Sequence, residues 1–188
     1  MPLICDEIQS GIGRTGRWFA FEHEGIVPDV VVLSKAIGGI GMPLSVVVYH
    51  ERLDVWKPGA HMGTFRGNQP AMVAGAAAIE LMEGLRLVER AAELGDSLLA
   101  GLRRAFGSSA LVANVRGRGL MIGVELASSA LALAVREACL ARGLIIELGG
   151  RGDRVLRFLP PLVLSRRLAA RIVEIVTDAL DDAIVNSD

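Results

Sequence analysis

Two ionisable residues stand at the ends of short apolar runs. Lys35 follows Asp29-Val30-Val31-Val32-Leu33-Ser34, and Asp6 follows Pro2-Leu3-Ile4-Cys5. Short runs rich in Val, Ile and Leu, without alternation and bounded by Gly or Pro, predict strands covered on both faces. The carboxyl end of such a strand is where α/β proteins bind ligands. Alone, each residue has an ordinary reading. Asp6 reads equally as a helix cap or a surface acid, and Lys35 as a lysine whose stem lies along apolar surface with its amine in water. Together, an acid and an amine closing two neighbouring strands, with glycines around both, suggest one shared site.

The chemistry open to such a pair is specific. A lysine amine has an ordinary pKa of about 10.4 and is a poor nucleophile while protonated. Desolvation and neighbouring charge can lower that value until the amine forms a Schiff base with a carbonyl. A carboxylate facing a pyridine nitrogen keeps that nitrogen protonated, and the ring then withdraws electrons from an adjacent carbanion. An acid and a lysine so placed would suit pyridoxal 5'-phosphate.

Between them, Gly11-Ile12-Gly13-Arg14-Thr15-Gly16 matches the letters of a dinucleotide-binding loop. Asp6 and Glu7 precede it, where a pyrophosphate would be repelled, and Arg17-Trp18-Phe19-Ala20-Phe21 leads toward Pro28 without helical periodicity. A glycine-rich turn needing positive φ or close backbone approach is the preferred reading. His23, His50 and His61 lack metal-ligand spacing, so no metal site is expected. His61 as a catalytic base is set below His61 as a loop-packing residue.

The elements that must hold these residues are set by periodicity. Strands are predicted at residues 2–5, 29–33 and 44–49. Asn68 can cap a helix whose face carries Ala71, Met72, Gly75, Ala76, Ile79 and Met82, with Gly84 at its end. A second helix turns Leu85, Val88, Ala92, Leu98, Leu99, Leu102 and Phe106 inward, and Gly107-Ser108-Ser109 stops it. Strands at 118–126, 144–148 and 155–159 alternate with a helix over 130–141. A final helix lines Leu164, Leu168, Ile172, Ile175, Val176, Ala179 and Leu180 along one face. The change from short apolar runs to long helical periodicity puts a domain boundary near residue 85, giving units 1–84 and 85–188. The fold class is α/β, with an α+β unit at the C-terminal end.

Composition excludes several functions. Hydrophobic residues make up 52% and charged residues 22%, which suits a folded protein rather than a disordered one. Charges nearly balance, and aromatics are only 4%, so no basic, aromatic-studded surface for nucleic acid is expected. No apolar run approaches the roughly 20 residues of a membrane span. Met1-Pro2-Leu3-Ile4-Cys5-Asp6-Glu7 lacks the basic start of a signal peptide. Cys5 and Cys139 cannot form a disulfide framework, so a reducing, cytoplasmic setting is expected. A chain that opens directly on a strand also suggests that an N-terminal portion precedes it.

Several segments then carry a family resemblance. Leu3-Ile4-Cys5-Asp6-Glu7-Ile8-Gln9-Ser10-Gly11-Ile12-Gly13-Arg14-Thr15-Gly16, Pro28-Asp29, Leu33-Ser34-Lys35-Ala36-Ile37-Gly38-Gly39, Gly63-Thr64-Phe65-Arg66-Gly67-Asn68-Gln69-Pro70 and Leu156-Arg157-Phe158-Leu159-Pro160-Pro161-Leu162 closely resemble the motifs of class III (ω-amino acid) aminotransferases. They span the chain in family order. The resemblance implies part of the fold type I large domain, with a mixed, mostly parallel sheet, followed by the C-terminal small domain. It implies that Lys35 forms the Schiff base with pyridoxal 5'-phosphate and moves the proton during transfer. Asp6 would pair with the pyridine nitrogen and Gln9 would contact the ring hydroxyl side. Thr64 would reach the cofactor phosphate of the partner in a homodimer, and Arg157 would hold a substrate carboxylate, a task suited to its planar fork.

The run from Trp56 to Gln69 is most similar to diaminobutyrate–2-oxoglutarate aminotransferases, on the strength of Thr64-Phe65-Arg66-Gly67-Asn68. That implies L-2,4-diaminobutyrate as amino donor and 2-oxoglutarate as acceptor, giving glutamate and aspartate 4-semialdehyde. The acetylornithine, ornithine and 4-aminobutyrate types are the other members considered. Family chains are roughly twice as long, so the resemblance also implies a C-terminal fragment without the glycine-rich phosphate turn and the ring-stacking aromatic. A non-catalytic remnant is the alternative.

Overall fold

The computed structural model describes residues 1–39, 41–107 and 109–185, and these form two compact units, Met1–Glu89 and one from Arg90 onward. The first unit carries strands β1 (Ile4–Asp6), β2 (Val30–Leu33) and β3 (Val46–Tyr49), in the order β1-β2-β3. β1 runs parallel to β2, and β3 antiparallel to it, so the sheet is mixed. Among the described strands of this sheet, only β2 has a neighbour on each side. Val31 and Leu33 of β2 are buried, whereas Ile4, Val47 and Val48 on the edge strands are exposed, contrary to the expectation of strands covered on both faces.

Asp29 ties the three strands at one end. Its carboxylate accepts from the Leu3 N–H at 2.7 Å and from the Arg52 guanidinium, and its backbone carbonyl accepts from the His50 N–H at 2.9 Å. The Leu3 N–H leads, with Arg52 next, in holding this carboxyl below the usual carboxylate range.

Helix α1 (Gln69–Gly84) starts where Asn68 Oδ1 accepts from the Ala71 N–H at 3.2 Å, with Pro70 in the first turn. Its buried residues are Ala71, Gly75 and Met82. Met72 is 55% exposed and Ala76 is also outside, so the packed stripe is narrower than expected. A turn of the chain lies against the helix at Gly75, where a Cβ would meet the Ile37 carbonyl oxygen.

Helix α2 (Leu87–Phe106) buries Leu94, Leu98, Leu102 and Phe106; Leu85 lies before it and is exposed. Gly107 N–H donates to the Arg103 carbonyl at 2.8 Å, while Ser108 of the expected stop lies outside the described residues. The second unit continues with β4 (Val112–Arg118), β5 (Met121–Leu126), α3 (Ser129–Ala141), β6 (Glu147–Gly149), β7 (Val155–Phe158) and α4 (Arg166–Val185). The four strands pair antiparallel in the order β4-β5-β7-β6. The expected strand over 118–126 is therefore the second arm of a hairpin whose turn holds Gly119. Leu98, Leu102, Leu120, Val124, Leu126, Val135, Cys139, Leu156 and Val176 are fully buried between sheet and helices. Leu168 is 49% exposed, so the inward face of α4 runs through Ala169, Ile172, Val176 and Leu180 instead. Burial pushes the Cys139 thiol up to about 11.

Candidate active site

The site begins with the parallel pairing of β1 and β2. Asp6 stands opposite Val32, and the Glu7 N–H donates to the Val32 carbonyl at 2.9 Å, after which the two chains part. Asp6 and Lys35 thus leave the carboxyl ends of adjacent, hydrogen-bonded strands. The Asp6 carboxylate is exposed, and its Oδ1 accepts from the Ile8 N–H at 3.0 Å. Lys35 is also exposed and opens a 3-10 turn, Lys35–Gly38, with φ 52. Left-handed backbone in a residue with a long side chain is uncommon and costs roughly 1–2 kcal/mol.

The surroundings hold that turn in place. Before it, Ser34 Oγ donates to the Leu44 carbonyl at 3.2 Å and accepts from Ser45 Oγ at 3.0 Å. Beneath it lies α1. A Cβ on Gly75 would meet the Ile37 carbonyl oxygen at 2.7 Å, and one on Gly39, whose φ is 65, would meet the Ala74 carbonyl oxygen at 2.8 Å. Small residues therefore let the lysine's turn seat directly on the helix.

Gln9 is half-buried in the turns after β1. The segment from Gly11 to Gly16 makes successive turns with positive φ at Ile12, Gly13 and Gly16 and leads into a short 3-10 helix, Ala20–Glu24. A dinucleotide loop would open a long helix at this point instead. Thr64 lies in a separate, exposed loop of the same unit. Within that loop the Arg66 guanidinium donates to the His61 carbonyl and bonds His61 Nδ1 at 2.8 Å, while the His61 ring meets Trp56 edge-on at 5.4 Å. His61 is a packing residue in this loop.

Arg157 belongs to the second unit. It sits in β7 between Gly123 of β5 and Glu147 of β6 and is half-buried. It lines a cleft of about 680 Å³ with Arg142, Glu147, Phe158, Pro161 and Ile172. A Cβ on Gly149 would meet Arg157 Cδ at 2.5 Å, so glycine there leaves the arginine stem its path.

Sequence reasoning misses one residue. Glu7 is only 3% exposed, although an acid next to Asp6 reads as a second surface charge. The one signal in the sequence is Ser10, three residues on, as a local hydroxyl partner.

Asp6 and Lys35 form a donor set that fits pyridoxal 5'-phosphate. The pair combines a carboxylate that could hold a protonated ring nitrogen and an amine that could take an aldehyde carbon, both in open space at the strand ends.

Known proteins point the same way. The description "Aminotransferase class-III" matches residues 1–180. The chain is 52% identical to a diaminobutyrate–2-oxoglutarate aminotransferase of Rhizobium meliloti, across 88% of this chain and 38% of that protein. It is 44% identical to a diaminobutyrate–2-oxoglutarate transaminase of Wolinella succinogenes, across 97% of this chain and 43% of that protein. Among solved structures it is similar to the ornithine aminotransferase of Toxoplasma gondii, described with partial occupancy of PLP at the active site. The TM-score is 0.91 at 32% identity, covering 99% of this chain and 44% of that one. The chain thus spans less than half the length of the relatives it matches.

Proposed function

We propose, for a chain that belongs to the class III aminotransferase family, that it carries the lysine side of a pyridoxal 5'-phosphate site and takes part in transamination. The observation that carries this reading is the placement of Asp6 and Lys35 on adjacent parallel strand ends, with Lys35 held at φ 52.

Bound there, pyridoxal 5'-phosphate supplies an electron-withdrawing ring conjugated to a carbonyl carbon. Asp6 keeps the ring nitrogen protonated. Gln9, in the turn after Asp6, bonds the hydroxyl side of the ring. The Lys35 amine would be the point of attachment, and its Nζ, when free, would carry the proton between the substrate carbon that bears the nitrogen and the aldehyde carbon of the cofactor. Arg157 grips a substrate carboxylate through its planar fork. Thr64, on an exposed loop, binds the cofactor phosphate of a second subunit, so the working form is a homodimer. The residue range 1–84 serves as part of the cofactor-binding domain and 85–188 as the small domain.

The names of the Rhizobium and Wolinella relatives, with the run Thr64-Phe65-Arg66-Gly67-Asn68, support L-2,4-diaminobutyrate as donor and 2-oxoglutarate as acceptor. The products are glutamate and aspartate 4-semialdehyde. Two free cysteines support a cytoplasmic setting.

The test is direct. Purified protein, and a version extended at its N-terminus, are given pyridoxal phosphate and then borohydride. A cofactor mass fixed on the Lys35 peptide, absent after Lys35→Ala, is expected. Absence of that mass from both versions rejects the proposal. Glutamate release from diaminobutyrate, set against ornithine, acetylornithine and 4-aminobutyrate, assigns the donor.

A further inference from the structure

We infer that Glu7 is a positioning residue. Its buried carboxylate sets the turn after β1 and, through that turn, the aim of Asp6 and the place of Gln9.

Each polar atom of Glu7 is used on a different part of the surroundings. Oε2 accepts from Ser10 Oγ at 2.6 Å, which closes the turn across Gln9. Oε1 accepts from the Phe21 N–H at 3.0 Å, reaching a segment fourteen residues away. The Glu7 N–H donates to Val32 in the neighbouring strand, and its carbonyl accepts from the Gly11 N–H at 3.0 Å. The turn is wound tightly around this residue, since a Cβ on Gly11 would stand 2.8 Å from the Glu7 carbonyl oxygen. Ile8, between Glu7 and Gln9, donates its N–H to Asp6 Oδ1. The direction of the Asp6 carboxylate is therefore tied to the backbone that Glu7 holds.

A carboxylate so placed acts through geometry, which separates two substitutions. Glu7→Gln keeps an acceptor for the Phe21 N–H, and its amide can face the Ser10 hydroxyl, which accepts as well as donates. Glu7→Ala leaves both donors without that partner. Truncating one side of such a buried pair typically loosens it by about 10- to 100-fold.

The inference rests on the transaminase reading for its purpose, but one readout stands apart from it. The Ile8 N–H, which donates to Asp6 Oδ1, reports on that contact through its hydrogen exchange. Glu7→Ala is expected to speed hydrogen exchange at Ile8, to speed it at Phe21 by about 10- to 100-fold, and to weaken pyridoxal phosphate binding. Glu7→Gln is expected to restore all three. If Glu7→Ala does not fold, Ser10→Ala, which removes only the Oε2 partner, should move the Ile8 signal in the same direction. The inference is overturned if Ile8 exchange is unchanged in Glu7→Ala, if it is unchanged in Ser10→Ala when that variant must decide, or if Glu7→Gln behaves like Glu7→Ala. Failure of the parent protein to be trapped at Lys35 rejects the transaminase reading instead, and the Ile8 signal still decides on Glu7.

Discussion

Gly75 of α1 lies so close to Ile37 that a Cβ at position 75 would stand 2.7 Å from the Ile37 carbonyl oxygen and 2.9 Å from Leu44 Cδ2. Ile37 is the third residue of the 3-10 turn that Lys35 opens. Gly75→Ala must therefore push the lysine's turn off the helix, although alanine is the better helix former by about 1 kcal/mol. Overpacking of this kind costs about 1–3 kcal/mol. The expected outcome is a lower urea midpoint together with slower or weaker borohydride capture of pyridoxal phosphate at Lys35. Unchanged capture would show that the turn does not depend on the helix beneath it.

A second close approach belongs to the other unit. A Cβ on Gly95 of α2 would collide with the Gly119 backbone, in the turn between β4 and β5. Backbone faces backbone here, so no flexible side chain can move aside. Gly95→Ala is expected to lower stability by at least about 2–3 kcal/mol, as measured by urea unfolding. An alanine variant as stable as the parent would mean that the helix and hairpin separate at no cost.

Asp29 makes a prediction about acid. Its carboxyl is held below the ordinary value, first by the Leu3 N–H and then by Arg52. A depressed folded-state value stabilises above the unfolded value of about 3.9 and ceases to do so as pH falls through the folded one. The parent should therefore exceed Asp29→Asn in stability near neutral pH, and the gap should close below about pH 4. A gap that stays constant down to about pH 2.5 would contradict this account.

Legibility in the sequence varies from residue to residue for physical reasons. β2 is legible almost to the residue because Val30-Val31-Val32-Leu33 has no other good use. β4 escapes because Val112-Ala113-Asn114-Val115-Arg116-Gly117-Arg118 mixes polar residues and glycine, and only Val115 is buried. It is an edge strand, and edge strands carry little pattern. The stripe on α1 reads too wide, since Met72 and Ala76 fit the helical period yet lie outside the packed face. The places of Asp6 and Lys35 are visible from the strands that they end. The burial of Glu7 is hidden, because its second donor is a backbone N–H at Phe21, fixed only by the fold.

The left-handed backbone at Lys35 has a consequence for any variant library. Asn visits that region more readily than a lysine does, because its short polar side chain bonds locally. Lys35→Asn should therefore match or exceed the parent in thermal stability, by up to about 1 kcal/mol, while ending all covalent capture of an aldehyde. A designer filling this backbone for robustness alone would not write lysine at position 35. By that standard the residue is a defect, and a screen that rewards only folding would repair it and discard the chemistry.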